Sequence, residues 1–257
     1  LIIYKKFYLQ EQMIKLIKNL YFFITLVIRL YNLVPMPLYH NIERIKAYRR
    51  IFFYVNFEGI EGDYLEFGVY EGSSMITAYY SNKASSKIDN LVMTKNNLKD
   101  RKFIGFDSFE EGFKYFDKKD AHINWPEGHL KSDYTKTMKR LNRISKHHFK
   151  LVPGFVENTL PEIKSNDYKI DNYKIEKIAV MLIDMDLFSP GLTALNFAKE
   201  FLNEGSIIVI DNYFNFKANP SKGEMGALNE FSKTNNIELV DFGNYGLTGK
   251  IFIVSKI

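Results

Sequence analysis

The stretch Asp63-Tyr64-Leu65-Glu66-Phe67-Gly68-Val69-Tyr70-Glu71-Gly72-Ser73-Ser74 sets the fold. A strand-forming run enters a glycine-bearing turn, and the residues after the second glycine open a helix. From Asp63 onward the same unit recurs. Strands are expected at 63–68, 102–107, 149–153, 177–183 and 206–211, with two more at 237–242 and 249–255. Helical periodicity fills 72–82, 132–144, 189–203 and 223–235. Strands alternating with helices mean an α/β fold with a mostly parallel sheet, in which ligands sit at the carboxyl ends of the strands. The segment Glu110 to Lys131, with Trp125-Pro126-Glu127-Gly128 inside it, directly follows a strand end and is placed as a lid or ligand loop.

Composition narrows the chemistry. Among 257 residues, 46% are hydrophobic and none is cysteine, which excludes a disordered chain, a disulfide scaffold, a thiolate zinc site and a cysteine nucleophile. Any site must be built from oxygen and imidazole groups. The net charge of +5 is local: residues 1–50 hold nine Lys and Arg against Glu11 and Glu43, leaving 26 basic and 28 acidic groups elsewhere. The basic balance thus belongs to one segment, and no nucleic-acid partner is expected.

Residues 1–60 are read as a basic, aromatic helical segment and 61–257 as the main domain. Leu20 to Ile28 is apolar but is closed by Arg29, too short a run to span a bilayer. No A-x-A-like cleavage site follows it, so a secretory signal is not expected. Met13, Ile14, Leu16, Ile17 and Leu20 recur with helical spacing around Lys15 and Lys18. Such a helix packs on the main domain, pairs subunits of a homo-oligomer, or lies on an anionic membrane through residues 10–40. Pro35 and Pro37 are taken as its end. The expected location is the cytoplasm, with the inner membrane face as the alternative contact surface.

Four strand ends carry candidate chemistry. The turn after the first strand has the spacing Glu-x-Gly-x-x-x-Gly and lacks the dinucleotide pattern G-x-G-x-x-G, so a pyrophosphate cofactor is not indicated. An acid just before the first glycine suits a cationic, hydrogen-bond-donating ligand end, such as the amino acid part of S-adenosylmethionine; a tight turn that needs glycine for packing is the plain alternative. The run Phe103-Ile104-Gly105-Phe106-Asp107-Ser108-Phe109 ends in a carboxylate that can accept from ribose hydroxyls or serve as a turn or cap residue. Val180 to Asp186 ends in Asp184 and Asp186, and Ile207 to Tyr213 carries Asp211 and Asn212. On neighbouring strands, about 4.8 Å apart, Asp184, Asp211 and Asn212 converge. Converging carboxylates need a cation or a proton between them, and an all-oxygen set suits Mg²⁺, Ca²⁺ or Mn²⁺. Separate helix caps are the plainer reading of each acid.

Six ordered blocks, GDYLEFGVYEGSS, FIGFDSF, LVPGFVENTLP, VMLIDMDLFSPGLTAL, EGSIIVIDNY and KGEMGALNEF, resemble the macrocin-type sugar O-methyltransferases over roughly Glu61 to Phe231. The resemblance implies a Rossmann-like class I methyltransferase sheet of seven strands with an N-terminal helical extension. It implies that Glu66, Gly68 and Gly72, with Tyr70 and Ser73 of the same turn, line the methionine part of S-adenosylmethionine, and that Asp107 and Ser108 hold its ribose. It implies a divalent metal, Mg²⁺ being the expected ion, on Asp184, Asp211 and Asn212, binding vicinal hydroxyls of a small-molecule or glycan acceptor. Asp184 or Asp186 is then the general base, with His122 and His129 of the lid as runners-up and His147 and His148 as surface residues. Two departures stand out. Asn212 occupies a position where the family usually has Asp, and the family's FDSFEGLP becomes Phe106 to Phe113 with an extra residue and no proline. Leu187 stands where catechol-type enzymes carry a lysine. The expected function is methylation of a sugar hydroxyl on a glycan, glycolipid or glycosylated metabolite; a catechol-like small-molecule O-methyltransferase and a non-catalytic binding or assembly subunit are the alternatives.

Overall fold

The computed structural model describes residues 2–92, 101–122 and 125–257. The chain forms two compact units, Leu1–Ile42 and Glu43–Ile257. In the first, α1 (Ile2–Asn32) is one long helix, and α2 (Met36–Phe57) starts within this unit. Helix α1 stops at Asn32, just before Pro35 and Pro37, as expected, and a second helix that was not foreseen starts there. The two prolines flank the first residue of α2, and Pro37 falls in its first turn, where a missing N–H leaves no bond unmade. Leu16, Ile17, Leu20, Phe22 and Phe23 of α1 are exposed. Among the described residues no helix is long and apolar enough to cross a membrane.

The second unit contains, in chain order, β1 (Asp63–Phe67), α3 (Ser73–Val92), β2 (Phe103–Asp107), α4 (Tyr134–Ile144), β3 (Phe149–Pro153), α5 (Val156–Ser165), the short antiparallel pair β4 (Lys169–Ile170) and β5 (Tyr173–Lys174), β6 (Ile178–Ile183), α6 (Phe188–Ala198), β7 (Leu202–Ile210), the single turn α7 (Asn215–Ala218), α8 (Gly223–Asn235), β8 (Glu238–Tyr245) and β9 (Gly249–Lys256). The main sheet has seven strands in the order β3-β2-β1-β6-β7-β9-β8, and only β9 runs antiparallel to its neighbours. This is the architecture expected from the sequence. Helix α5 and the β4–β5 ribbon were not foreseen, α3 runs ten residues beyond the expected end at 82, and α6 stops at Ala198, so that β7 begins earlier than expected.

Both faces of the sheet are covered, which is why its strands read as continuous apolar runs. Leu65, Phe67, Ile104, Phe106, Ile183 and Ile210 share one core with Leu160 of α5, Leu195 of α6 and Phe231 of α8. Tyr64, Phe103, Leu182 and Val209 face the other core, which holds Tyr48, Ile51, Phe52 and Val55 of α2 together with Met75 of α3 and Leu141 of α4. The later part of α2 therefore belongs to the hydrophobic core of this unit.

Register fixes what comes next. Phe67 pairs with Phe106 on one side and Ile183 on the other, and Ile183 pairs with Ile210. The residues that follow these positions, Asp107, Gly68, Asp184 and Asp211, stand in one row across β2, β1, β6 and β7, spanning roughly 14 Å at the usual strand spacing. The chain leaves β1 for β2 on one side and reaches β6 on the other, so the row lies at the topological switch point.

Candidate active site at the carboxyl edge of the sheet

The half of the row built on β1 and β2 is held together by main-chain donors. Asp107 Oδ2 accepts from the N–H groups of Val69 and Tyr70, both at 2.7 Å, and Oδ1 from Phe109 N–H at 2.6 Å. Burial raises its pKa, and these three donors pull it back. A carboxylate has about four acceptor sites, so one remains for a ligand hydroxyl. Gly68 has φ +91°, and a Cβ there would lie 1.8 Å from the Asp184 carbonyl oxygen. The glycine is required by the close approach of β1 and β6, as the packing alternative held. Gly72, at φ +77°, closes the turn by donating to Val69 O. Tyr70 is exposed and left-handed at φ 50°.

Glu66 sits beneath the turn and is fully buried. It accepts from Tyr64 Oη and Ser74 Oγ, each at 2.5 Å, and Tyr64 Oη lies 3.1 Å from Tyr48 Oη. Burial pushes its pKa up to about 7 against the hydrogen bonds that lower it. It reaches the turn through Ser74; Ser73, the serine singled out from the sequence, is exposed. Ser108 donates its hydroxyl to Gly112 O at 2.9 Å. An open cleft of about 570 Å³ lined by Glu71, Glu110, Asp133, Lys136, Thr137 and Arg140 flanks this half, within the size range of small-molecule sites.

The half built on β6 and β7 brings Asp184, Asp186, Asp211 and Asn212 together. Asn212 Nδ2 donates to Asp186 Oδ1 at 2.6 Å and approaches Asp184 Oδ1 at 3.5 Å. Its Oδ1 accepts from Asn215 Nδ2 at 3.0 Å. Asp186 is left-handed at φ 59° and 5% exposed. Glu224, in the first turn of α8, clamps both strand ends: Oε1 accepts from Met185 and Asp186 N–H, and Oε2 from Asn212 N–H. Burial followed by the Asp211 charge pushes the Asp186 pKa up to about 7 and raises that of Asp184 well above the carboxylate range.

The compensating cation is Arg44 of α2. Its Nη2 donates to Asp211 Oδ1 at 2.9 Å and lies 3.4 Å from Asp184 Oδ2. Burial works against the guanidinium charge, but Asp211 and Asp184 outweigh it and hold the group more firmly protonated than usual. Tyr245 Oη donates a short hydrogen bond to the same Asp211 oxygen.

The sequence profile of the macrocin O-methyltransferases (TylF) matches residues 40–240, most of the chain. The chain belongs to the macrocin O-methyltransferase family. Among solved structures it is similar to the O-methyltransferase NovP, with a TM-score of 0.62 at 16% identity over 84% of this chain and 81% of that one. It is also similar to CalS11, a calicheamicin methyltransferase, at a TM-score of 0.60 and 19% identity over 89% and 84% of the two chains. At these identities the likeness establishes the fold. No curated protein sequence matches.

The expected metal ligands of this family member do meet, but their arrangement does not fit a divalent ion. Such an ion needs several oxygens aimed at one point. Here the guanidinium lies between the two carboxylates, and Asn212 turns its nitrogen rather than its oxygen towards the acids. Among the described residues no group of three or more His, Cys, Asp or Glu converges as a metal site.

The segment Glu110 to Lys131 has its own anchor. Asp120 is fully buried and accepts from the N–H groups of Phe116 and Asp117 and from the N–H and hydroxyl of Ser189 at the start of α6. His122 packs on Trp125 and Phe216, and burial lowers its pKa. His129 and His147 are exposed, whereas His148 is half-buried against Tyr79 and Ser145, a correction to its reading as a surface residue. Arg44, Glu224, Tyr245 and Asp120 were not assigned from the sequence. Arg44 alone carried a signal: Tyr48, Ile51, Phe52 and Val55 follow it at helical spacing and mark its face as the buried one.

Proposed function

We propose that this macrocin O-methyltransferase homologue transfers a methyl group from S-adenosylmethionine to a sugar hydroxyl. The observation that carries the reading is the contact of the two halves of the row: Gly68, in the turn held by Asp107, lies against the backbone of Asp184, in the acid cluster. A donor bound over β1 and β2 and an acceptor bound over β6 and β7 are then neighbours, and positioning supplies much of the rate of such a transfer.

S-adenosylmethionine, when bound, supplies an electrophilic methyl on a sulfonium. Asp107 offers its remaining acceptor position to a ribose hydroxyl, while Gly68 and Gly72 keep the turn free of side chains. The side chain of Asp184 is 23% exposed, against 9% for Asp211, which makes Asp184 the acid that an acceptor hydroxyl can reach and Asp186 its support through Asn212. An acceptor oxygen would take that methyl as the donor leaves as a neutral thioether, and Asp184 would receive the hydroxyl proton. Burial and the Asp211 charge raise the pKa of Asp184, which makes it a stronger base than an ordinary carboxylate. The sugar assignment is supported by the family and by CalS11, described as a TDP-rhamnose 3'-O-methyltransferase.

The test is incubation of the purified chain with S-adenosylmethionine and a panel of free, nucleotide-linked and glycosylated sugars, alongside free catechols, read by mass spectrometry. Gain of one methyl on a sugar, lost in Asp184→Asn, is expected. Methylation of catechols alone, or of nothing while the cofactor binds, contradicts the sugar reading.

A further inference from the structure

The acid cluster is already compensated by groups of the chain itself. Three donors from different elements occupy it: Arg44 Nη2 from α2 on Asp211 and Asp184, Tyr245 Oη from β8 on Asp211, and Asn212 Nδ2 on Asp186. Each takes an acceptor position that a cation would need. Arg44 is also held in place. One helical turn further on, Tyr48 is fully buried with its hydroxyl 3.1 Å from that of Tyr64, and Ile51 and Phe52 are locked in the core. The Arg44 side chain is 11% exposed. An ion entering between Asp184 and Asp211 would have to expel a buried, hydrogen-bonded guanidinium and turn the Asn212 amide over, leaving Arg44 without its acids.

We propose that Arg44 is the resident cation of the acid cluster, filling the place of a divalent ion, and that methyl transfer by this chain is independent of metal. The catalytic part rests on the O-methyltransferase reading above; the cation assignment does not. A guanidinium can serve the reaction directly. It stays protonated at any working pH, and its planar set of N–H donors can stabilise negative charge developing on an acceptor oxygen beside Asp184.

The experiment uses Mn²⁺ as probe, read by electron paramagnetic resonance and calorimetry on the full chain. Wild type is expected to bind no Mn²⁺ at the cluster, and Mg²⁺ is expected to leave its melting temperature unchanged. Arg44→Met, which takes the guanidinium off both carboxylates while keeping an apolar stem, is expected to gain a Mn²⁺ site at least about tenfold tighter than any in wild type. Arg44→Lys keeps a positive charge and is expected to gain none. A Mn²⁺ site in wild type that Asp184→Asn removes overturns the proposal, as does a folded Arg44→Met that gains no site. If Arg44→Met does not fold, the wild-type titration decides alone. Where turnover is measurable, wild type is expected to keep its rate in a chelator; a rate abolished by the chelator and restored by Mg²⁺ overturns the proposal. Absence of S-adenosylmethionine binding breaks the methyltransferase reading separately, since the Mn²⁺ titration does not involve the cofactor.

Discussion

The two halves of the sheet edge are assembled from different distances along the chain. Around β1 and β2, Asp107 is satisfied by N–H groups 37 and 38 residues away, within one strand-helix-strand unit. Around β6 and β7, Asp184 and Asp211 meet a guanidinium 140 and 167 residues away, on a helix that precedes the whole sheet. The first half uses backbone dipoles to hold one carboxylate and leaves it an acceptor position. The second uses a buried charge to hold two carboxylates that would otherwise repel. A site of backbone donors is built as its turn folds, whereas a site of converging acids needs a countercharge that only the tertiary fold can deliver.

The largest effect that tests this contrast is expected from Arg44→Ala. Removing one member of a buried ionic group leaves the others uncompensated, so unfolding stability in urea should fall by about 3–5 kcal/mol. Asp107→Ala, which leaves only main-chain donors unpaired, should cost about 1–3 kcal/mol. Equal costs for the two variants would remove the distinction. Gly68→Ala tests the contact between the halves. With a Cβ forced to within 1.8 Å of the Asp184 carbonyl oxygen, β1 and β6 must part, and a loss of about 3 kcal/mol or more is expected in thermal denaturation.

Protonation gives a third test. Glu66 is raised from 4.5 to about 7 by burial, so the folded state holds its proton more tightly than the unfolded chain does. Its stabilising effect is complete below the unfolded pKa and is lost as pH climbs through 4.5 to about 7, by about 3 kcal/mol. Asp184, Asp186 and Glu224 are raised in the same direction, so wild-type stability falls over this range for several reasons. The difference between wild type and Glu66→Gln isolates one of them: the Gln variant should show a shallower decline in urea midpoints measured from pH 4 to 8. A parallel decline in the two proteins would contradict the raised Glu66. An effect as small as that of Asp107→Ala, about 1–3 kcal/mol, is expected from Asp120→Asn. That substitution loosens the segment that carries Asp120 from Ser189, and limited proteolysis should then cut between 110 and 131 faster than in wild type.

Much of this edge was legible because each acid follows an apolar strand. Asp107, Asp184 and Asp211 end runs that could only be buried, and glycine four residues apart marked the turn. What the sequence left open was one-residue detail and long-range pairing. Ser73 and Ser74 are neighbours in the chain, but a helix turns about 100° between them, and only Ser74 faces Glu66. Asn212 looked like a ligand oxygen, and the network around it presents nitrogen. Arg44 lay inside a basic segment in which no single residue was given a role, although the apolar residues that follow it at helical spacing place it on the inward face of α2. Glu224 lay in a recognised block, but nothing local to it points to backbone donors 38 and 39 residues earlier.

The central claim is that the two halves bind different things side by side, and calorimetric titration with S-adenosylmethionine tests it most directly. The account predicts saturable binding to wild type, weakened about tenfold or more in Asp107→Ala by the loss of a hydrogen bond to a charged group, and little changed in Asp184→Ala. Absence of binding to wild type, or equal loss in both variants, would contradict a donor site on β1 and β2 that stands apart from the acid cluster.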